Sequence, residues 1–150
     1  MQLAFEHLHK YHDQTRELMT ANGVTANVEL VLAELVDYVD PNNDFRFNFY
    51  DCRARLQAAS SRLHACRRIL IVVDGPPAIT CKQARYPALP ISLDVFPNAQ
   101  IDVLLDDTNR PEEQDVLLSW ERLLRHNQRP FSNVELGFEK GAAFMSIAPK

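Results

Sequence analysis

Glycine is scarce in this chain. There are four in 150 residues, at positions 23, 75, 137 and 141, and nowhere do they make a G-x-G stretch. Loops that cradle phosphates or press bare backbone against a cofactor need residues without a Cβ, so that device is absent from these residues. Cysteine is nearly as rare. Cys52, Cys66 and Cys81 form no CxxC pair, which removes the usual zinc and dithiol motifs. An odd count with no secretory signal points to reduced thiols and a cytoplasmic home. The opening Met1-Gln-Leu-Ala-Phe-Glu-His7 puts no basic segment ahead of an apolar one, unlike a secretory signal. No apolar run approaches the roughly 18–20 residues of a membrane span. Positive charge is not in excess either. The formal net charge is −4, against a general nucleic-acid binder, whose domain is usually basic. There is no internal repeat and no low-complexity tract.

What remains is an ordinary globular composition, 46% hydrophobic and 24% charged, in a length that fits one domain over residues 1–150 with a real core. The central stretch is Ile69-Leu-Ile-Val-Val-Asp-Gly-Pro-Pro77. Its apolar run, mostly β-branched and closed by turn residues, predicts a strand buried on both faces. Ile101-Asp-Val-Leu-Leu-Asp-Asp107 repeats the pattern about thirty residues on, the length of a strand–crossover–strand unit. Ligands of open α/β sheets bind beyond the carboxyl ends of the strands, and both runs end there in acids.

The rest of the chain fills in around these runs. Leu3–Glu6 predicts a short strand, His9–Asn22 a helix closed by Gly23, and Asn27–Leu32 a second strand. Asp40-Pro-Asn-Asn-Asp44 is a turn cluster, and the alternation of Phe45, Phe47 and Phe49 after it suggests an extra strand or hairpin arm, with these rings more at home in core or interface than around a ligand. A helix is expected over 51–66 with Leu56, Ala59, Leu63 and Cys66 as its stripe, then a short helix near Pro87–Asp94. A long helix follows, with an Asn or Thr cap, Pro111 in its first turn and Trp120 as its core anchor. Strands at 133–139 and 142–147 flank Lys140-Gly141 as a closing hairpin. The order predicts an α/β, three-layer Rossmann-like fold: a mostly parallel sheet ending in an antiparallel hairpin.

Val73-Asp-Gly-Pro-Pro77, Arg85-Tyr-Pro-Ala-Leu-Pro90 and Leu104-Leu-Asp-Asp-Thr-Asn-Arg-Pro-Glu-Glu113, in that order, resemble the fourth strand, following helix and fifth strand of class I S-adenosylmethionine-dependent methyltransferases, in particular those acting on small molecules. The resemblance covers essentially the whole chain and is weakest at 33–66. It implies that Glu6, at the end of the family's second strand, receives the ribose hydroxyls of S-adenosylmethionine, with Asp74 beside the cofactor and Ala33-Glu34 near the adenine. It implies that Asp74, Asp106 and Asp107 hold a divalent cation such as Mg, as acids at these strand ends do in the metal-dependent O-methyltransferases; the family's usual Asp-Asn is Asp106-Asp107 here. Arg85 and Tyr86 fall near the expected substrate mouth.

Against that family the sheet is incomplete at its central first strand, because nothing before Leu3 corresponds to that strand and its glycine-rich loop. Three arrangements would close the gap: direct pairing of the flanking strands, cover from the Phe45–Tyr50 strand, or a homodimer, which is the expected one. Each site residue also has a plainer role. Asp74 can shape its Gly-Pro turn, Asp107 can cap the next helix, Glu6 can be an exposed strand-end acid and Arg85 can make a surface ion pair. His7, His9 and His12 suit solvated or capping positions better than metal ligation, and Cys81 has no base nearby in sequence. Two functions follow: a methyltransferase-like protein with lost or altered catalysis, or a non-catalytic binding or oligomerisation protein using a small-molecule pocket near Asp74 and Asp107.

Overall fold

The computed structural model describes residues 1–41, 44–62 and 67–150. Among the described residues eight strands and four helices follow in the order β1 (Gln2–Glu6), α1 (His9–Ala21), β2 (Val28–Leu32), β3 (Leu35–Val39), β4 (Arg46–Tyr50), α2 (Arg53–Arg62), β5 (Arg68–Val73), α3 (Ala88–Val95), β6 (Gln100–Asp106), α4 (Pro111–His126), β7 (Phe131–Leu136) and β8 (Ala142–Ile147). A 3-10 turn at Ala78–Thr80 interrupts the loop after β5. Among the described residues no helix is long and apolar enough to cross a membrane.

Strand pairing is mixed rather than mostly parallel. β1 and β2 form a parallel pair and β3 and β4 an antiparallel hairpin, while β5-β6-β8-β7 make a four-stranded sheet. In that sheet β5 and β6 run parallel, and β8 is antiparallel to both β6 and β7. The closing hairpin was readable because Gly141, at φ +71°, occupies its turn. The Phe45–Tyr50 alternation does become a strand, β4, and its partner β3 comes from a segment for which no element was expected. β1 and β5 do not pair with each other.

The core lies on one face of the four-stranded sheet. Ile101, Val103 and Leu105 of β6 and Met145 and Ile147 of β8 pack there with Leu89 and Ile91 of α3, Trp120 and Leu124 of α4, and Phe47 and Phe49 of the hairpin. Trp120 is fully buried and donates its indole N–H to Tyr86 O at 2.8 Å, so the core anchor also fixes the loop before α3. Phe45 stays at the surface. The α4 start carries Pro111, Glu112 and Glu113 as expected, but its N-cap is Arg110, with no side-chain capping bond. In α2 the stripe is represented by half-buried Leu56 and buried Ala59; Leu63 and Cys66 lie outside the described residues, as do Asn42 and Asn43 of the turn cluster.

The Ile69–Val73 run is not buried on both faces. Leu70 is 64% and Val72 62% exposed. A continuous apolar run reports hydrophobic demand without saying whether another layer meets it. Here β5 is the terminal strand of its sheet, and its second face is left open. Across the sheet Val72 is in register with Leu104, Phe144 and Val134, so the open face carries an apolar row. The first 32 residues contain no fully buried side chain, so β1, β2 and α1 form a half-buried unit.

Candidate functional site

The chain ends of β5 and β6 deliver Asp74, Asp106 and Asp107 to one place. One carboxylate oxygen from each lies within 4.8 Å of the others. Parallel pairing in register puts Val73 beside Leu105, so the next residues of each strand emerge together. Asp107 is held at φ +63°, a left-handed conformation that aspartate tolerates better than bulkier residues. The closing hairpin fixes it there: Thr108 N–H donates to Gly141 O at 3.2 Å and Asn109 N–H to Lys140 O at 3.0 Å. A Cβ on Gly141 would stand 2.6 Å from Asn109 Oδ1, so this close approach needs glycine.

Arg85 lies under the acids instead of at a mouth. Its side chain is buried and donates to Asp106 O (2.9 Å), Asp74 O (3.1 Å) and Asp107 Oδ2 (3.2 Å). It also stands 3.6 Å from Asp74 Oδ1 and from Glu113 Oε1. One guanidinium thus ties both strand ends and three carboxylates together, which its fork of donors suits. Arg110 adds a second cation, 2.9 Å from Asp107 Oδ2. Tyr86 is turned away from this cluster. It donates to the fully buried Asp40 at 2.7 Å, and its ring stacks on Phe47 at 4.9 Å. Burial and the Asp40 hydrogen bond push the Tyr86 phenol well above its ordinary range.

Glu6 ends β1. Its Oε1 accepts from the backbone N–H of His7 (2.7 Å) and Leu8 (2.8 Å), which turns the chain into α1, and Ala33 N–H donates to its carbonyl. Tyr50, the last residue of β4, packs its ring edge-on against His7, with centroids 5.9 Å apart. Burial first, and the Glu6 and Asp74 carboxylates after it, push the Tyr50 phenol up to about 12 despite the opposing Arg85. Tyr50 crosses over Gly75, where a Cβ would stand 2.5 Å from its hydroxyl oxygen. Sequence reasoning missed this residue. The signal available was its position at the end of an aromatic alternation, and nothing in that pattern says which strand end it meets. Ala33 is buried and Glu34 exposed just beyond β2. Among the described residues His9 and His12 join no metal-competent cluster, and Cys81 Sγ accepts from Asn48 N–H at 3.2 Å.

The three acids suit a hard divalent cation. Oxygen donors on either side of such an ion stand roughly 4–5 Å apart, given metal–oxygen distances of about 2.0–2.6 Å. The donor set is all carboxylate, with Asp107 Oδ2 already shared between two arginines.

No protein-family model and no curated protein matches the chain. Solved structures do. The METTL16 methyltransferase domain aligns over 98% of this chain and 49% of its own, with a TM-score of 0.57 and 11% identity. A protein assigned as an rRNA-methylase from Clostridium thermocellum aligns over 99% and 72%, at 0.51 and 10%. One assigned as a caffeoyl-CoA O-methyltransferase from Staphylococcus aureus aligns over 97% and 63%, at 0.50 and 10%. The chain therefore spans about half the length of the first of these. At such identities the likeness is one of fold: the chain is folded like these methyltransferases.

Proposed function

We infer that this is a methyltransferase-like protein that binds S-adenosylmethionine or its product at the strand-end cleft, with catalysis lost or altered relative to the ordinary family reaction. The observation that carries the reading is the meeting of Asp74, Asp106 and Asp107 at the carboxyl ends of β5 and β6 in a methyltransferase-like fold, with Glu6 ending β1. Glu6 keeps Oε2 for a ribose hydroxyl while Oε1 holds the turn. Asp74, Asp106 and Asp107 would hold the divalent cation, which when bound would orient a hydroxylated substrate and lower its pKa. Asp107, already paired with Arg85 and Arg110, supports altered catalysis.

A second reading draws on Arg85. Its guanidinium already balances the acids that a cation would balance, so the cluster also serves as a strand-end clasp in a non-catalytic binding or oligomerisation protein. The half-buried first 32 residues and the open apolar face of β5 support a homodimer in either case. The distinguishing experiment is titration calorimetry with S-adenosylmethionine and S-adenosylhomocysteine, with and without Mg. Saturable binding supports the first reading, with Glu6→Ala and Asp74→Ala weakening it. Silence in every titration leaves the second.

A further inference from the structure

We propose that Glu113 is a positioning residue of the strand-end site, receiving the Arg85 guanidinium when Asp74, Asp106 and Asp107 take a divalent cation. This rests on the acids holding such an ion and adds a residue of α4 to the site.

The argument starts from a conflict of charge. Arg85 Nη2 lies 3.2 Å from Asp107 Oδ2 and 3.6 Å from Asp74 Oδ1, so one cation already faces two of the three donors. A divalent ion at the same carboxylates would meet a like charge at close range. Arg110 also holds Asp107, but its side chain is 52% exposed and can turn out to water. The Arg85 side chain is only 4% exposed. Moved off Asp107 with no other anion to meet, its charge would be buried and uncompensated. It therefore needs a second carboxylate inside the protein.

Glu113 is that carboxylate. It sits in the first turn of α4, as buried as Arg85 itself. Its Oε1 stands 3.6 Å from Arg85 Nη1, beyond the about 2.7–2.9 Å of a charge-assisted hydrogen bond, and its Oε2 has no hydrogen-bond partner. A buried carboxylate with an unused oxygen is costly if its role is structural alone. Arg85 Nε–H is buried without a partner as well, so the guanidinium is not saturated where it stands. The carbonyl oxygens of Asp74 and Asp106 already hold it beside both acids. A short shift towards Glu113 keeps Arg85 paired and relieves Asp107 of its buried countercharge.

The experiment titrates the full chain with manganese chloride by calorimetry, as the parent, Glu113→Gln, Arg85→Met and the double variant. Thermal unfolding of each, measured alongside, checks that it is folded. The proposal expects Glu113→Gln to weaken Mn binding about five- to tenfold in the parent chain, because Arg85 then stays on Asp107. In the Arg85→Met background, which has no guanidinium to move, it expects the loss to fall below about twofold. An equal loss in both backgrounds makes Glu113 a plain charge near the ion and overturns the proposal, as does no loss in the parent. Binding that appears only in Arg85→Met overturns the exchange and leaves the acids standing as cation donors. No binding in any variant overturns both the exchange and the cation reading. A crystal structure of the parent chain soaked in manganese chloride reads the exchange without any variant. Arg85 is expected within hydrogen-bond distance of Glu113 and off Asp107; Arg85 still on Asp107 beside a bound ion overturns the proposal.

Discussion

Arg85 is the residue on which the carboxyl ends of β5 and β6 depend, because it is the shared cation of Asp74, Asp107 and Glu113. Arg85→Met removes the charge and keeps much of the volume. Breaking a buried ion cluster from one side leaves carboxylates facing one another, so the substitution should lower stability by about 3 kcal/mol in urea unfolding. If the acids can hold a divalent cation, millimolar Mg should recover more stability in Arg85→Met than in the parent chain, because the ion replaces the missing charge. An equal or absent Mg effect would argue against a metal site. Asp102 gives a second test, away from the site. Burial works to raise its carboxyl, but hydrogen bonds from Ser146, Arg68 and Gln100 outweigh this and hold it below the ordinary range. A depressed carboxyl stabilises the fold above its unfolded pKa of about 3.9 and loses that contribution as pH falls through the lower folded value. Asp102→Asn should therefore cost about 1 kcal/mol at neutral pH, kept small because Arg68 faces solvent, and should flatten the acid limb of the unfolding curve.

The loop after β6 and the hairpin turn between β7 and β8 work as one clamp, since Gly141 admits Thr108 and Asn109 at close range and so sets Asp107. Gly141→Ala places a Cβ in a left-handed conformation and against Asn109. It should cost at least about 1–2 kcal/mol and should weaken any Mg effect by displacing Asp107; unfolding with and without Mg reads both. The strands and helices that set up this clamp were legible in sequence. Alternation gave β4, the 3.6-residue stripe of Val116, Leu117, Trp120, Leu123 and Leu124 gave α4, and Lys140-Gly141 gave the closing hairpin. The meeting of Asp74 with Asp106 and Asp107 was legible too, because two parallel strands ending in acids must bring them together. Three features were not legible. The exposure of Leu70 and Val72 depends on a missing layer, which a strand's own residues do not encode. The burial of Arg85 depends on how a loop folds back under two strand ends, and that long-range return leaves no periodic trace. β3 has only five residues, and its identity rests on its partner, β4.

The molecule is uneven. Its core gathers on one face of the β5-β6-β8-β7 sheet, while β1, β2 and α1 bring no fully buried side chain. Parallel pairs are ordinarily covered on both faces, and a two-stranded sheet is marginal alone. Amides of β1 and β2 should therefore exchange with deuterium well before those of β6 and β8, in hydrogen exchange read by mass spectrometry. If the half-buried unit and the open face of β5 are covered by a second copy, light scattering should give a dimer that Leu70→Lys or Val72→Lys converts to a folded monomer. A wild-type monomer at every concentration would exclude that arrangement. The central claim is that the strand-end cleft binds a nucleoside cofactor, and the most direct test is calorimetric titration of the purified chain with S-adenosylhomocysteine, with and without Mg. Saturable binding, one ligand per chain, weakened in Glu6→Ala and Asp74→Ala, is the predicted result. No heat of binding up to millimolar ligand in either condition would contradict the claim and leave the acids and Arg85 as a structural clasp.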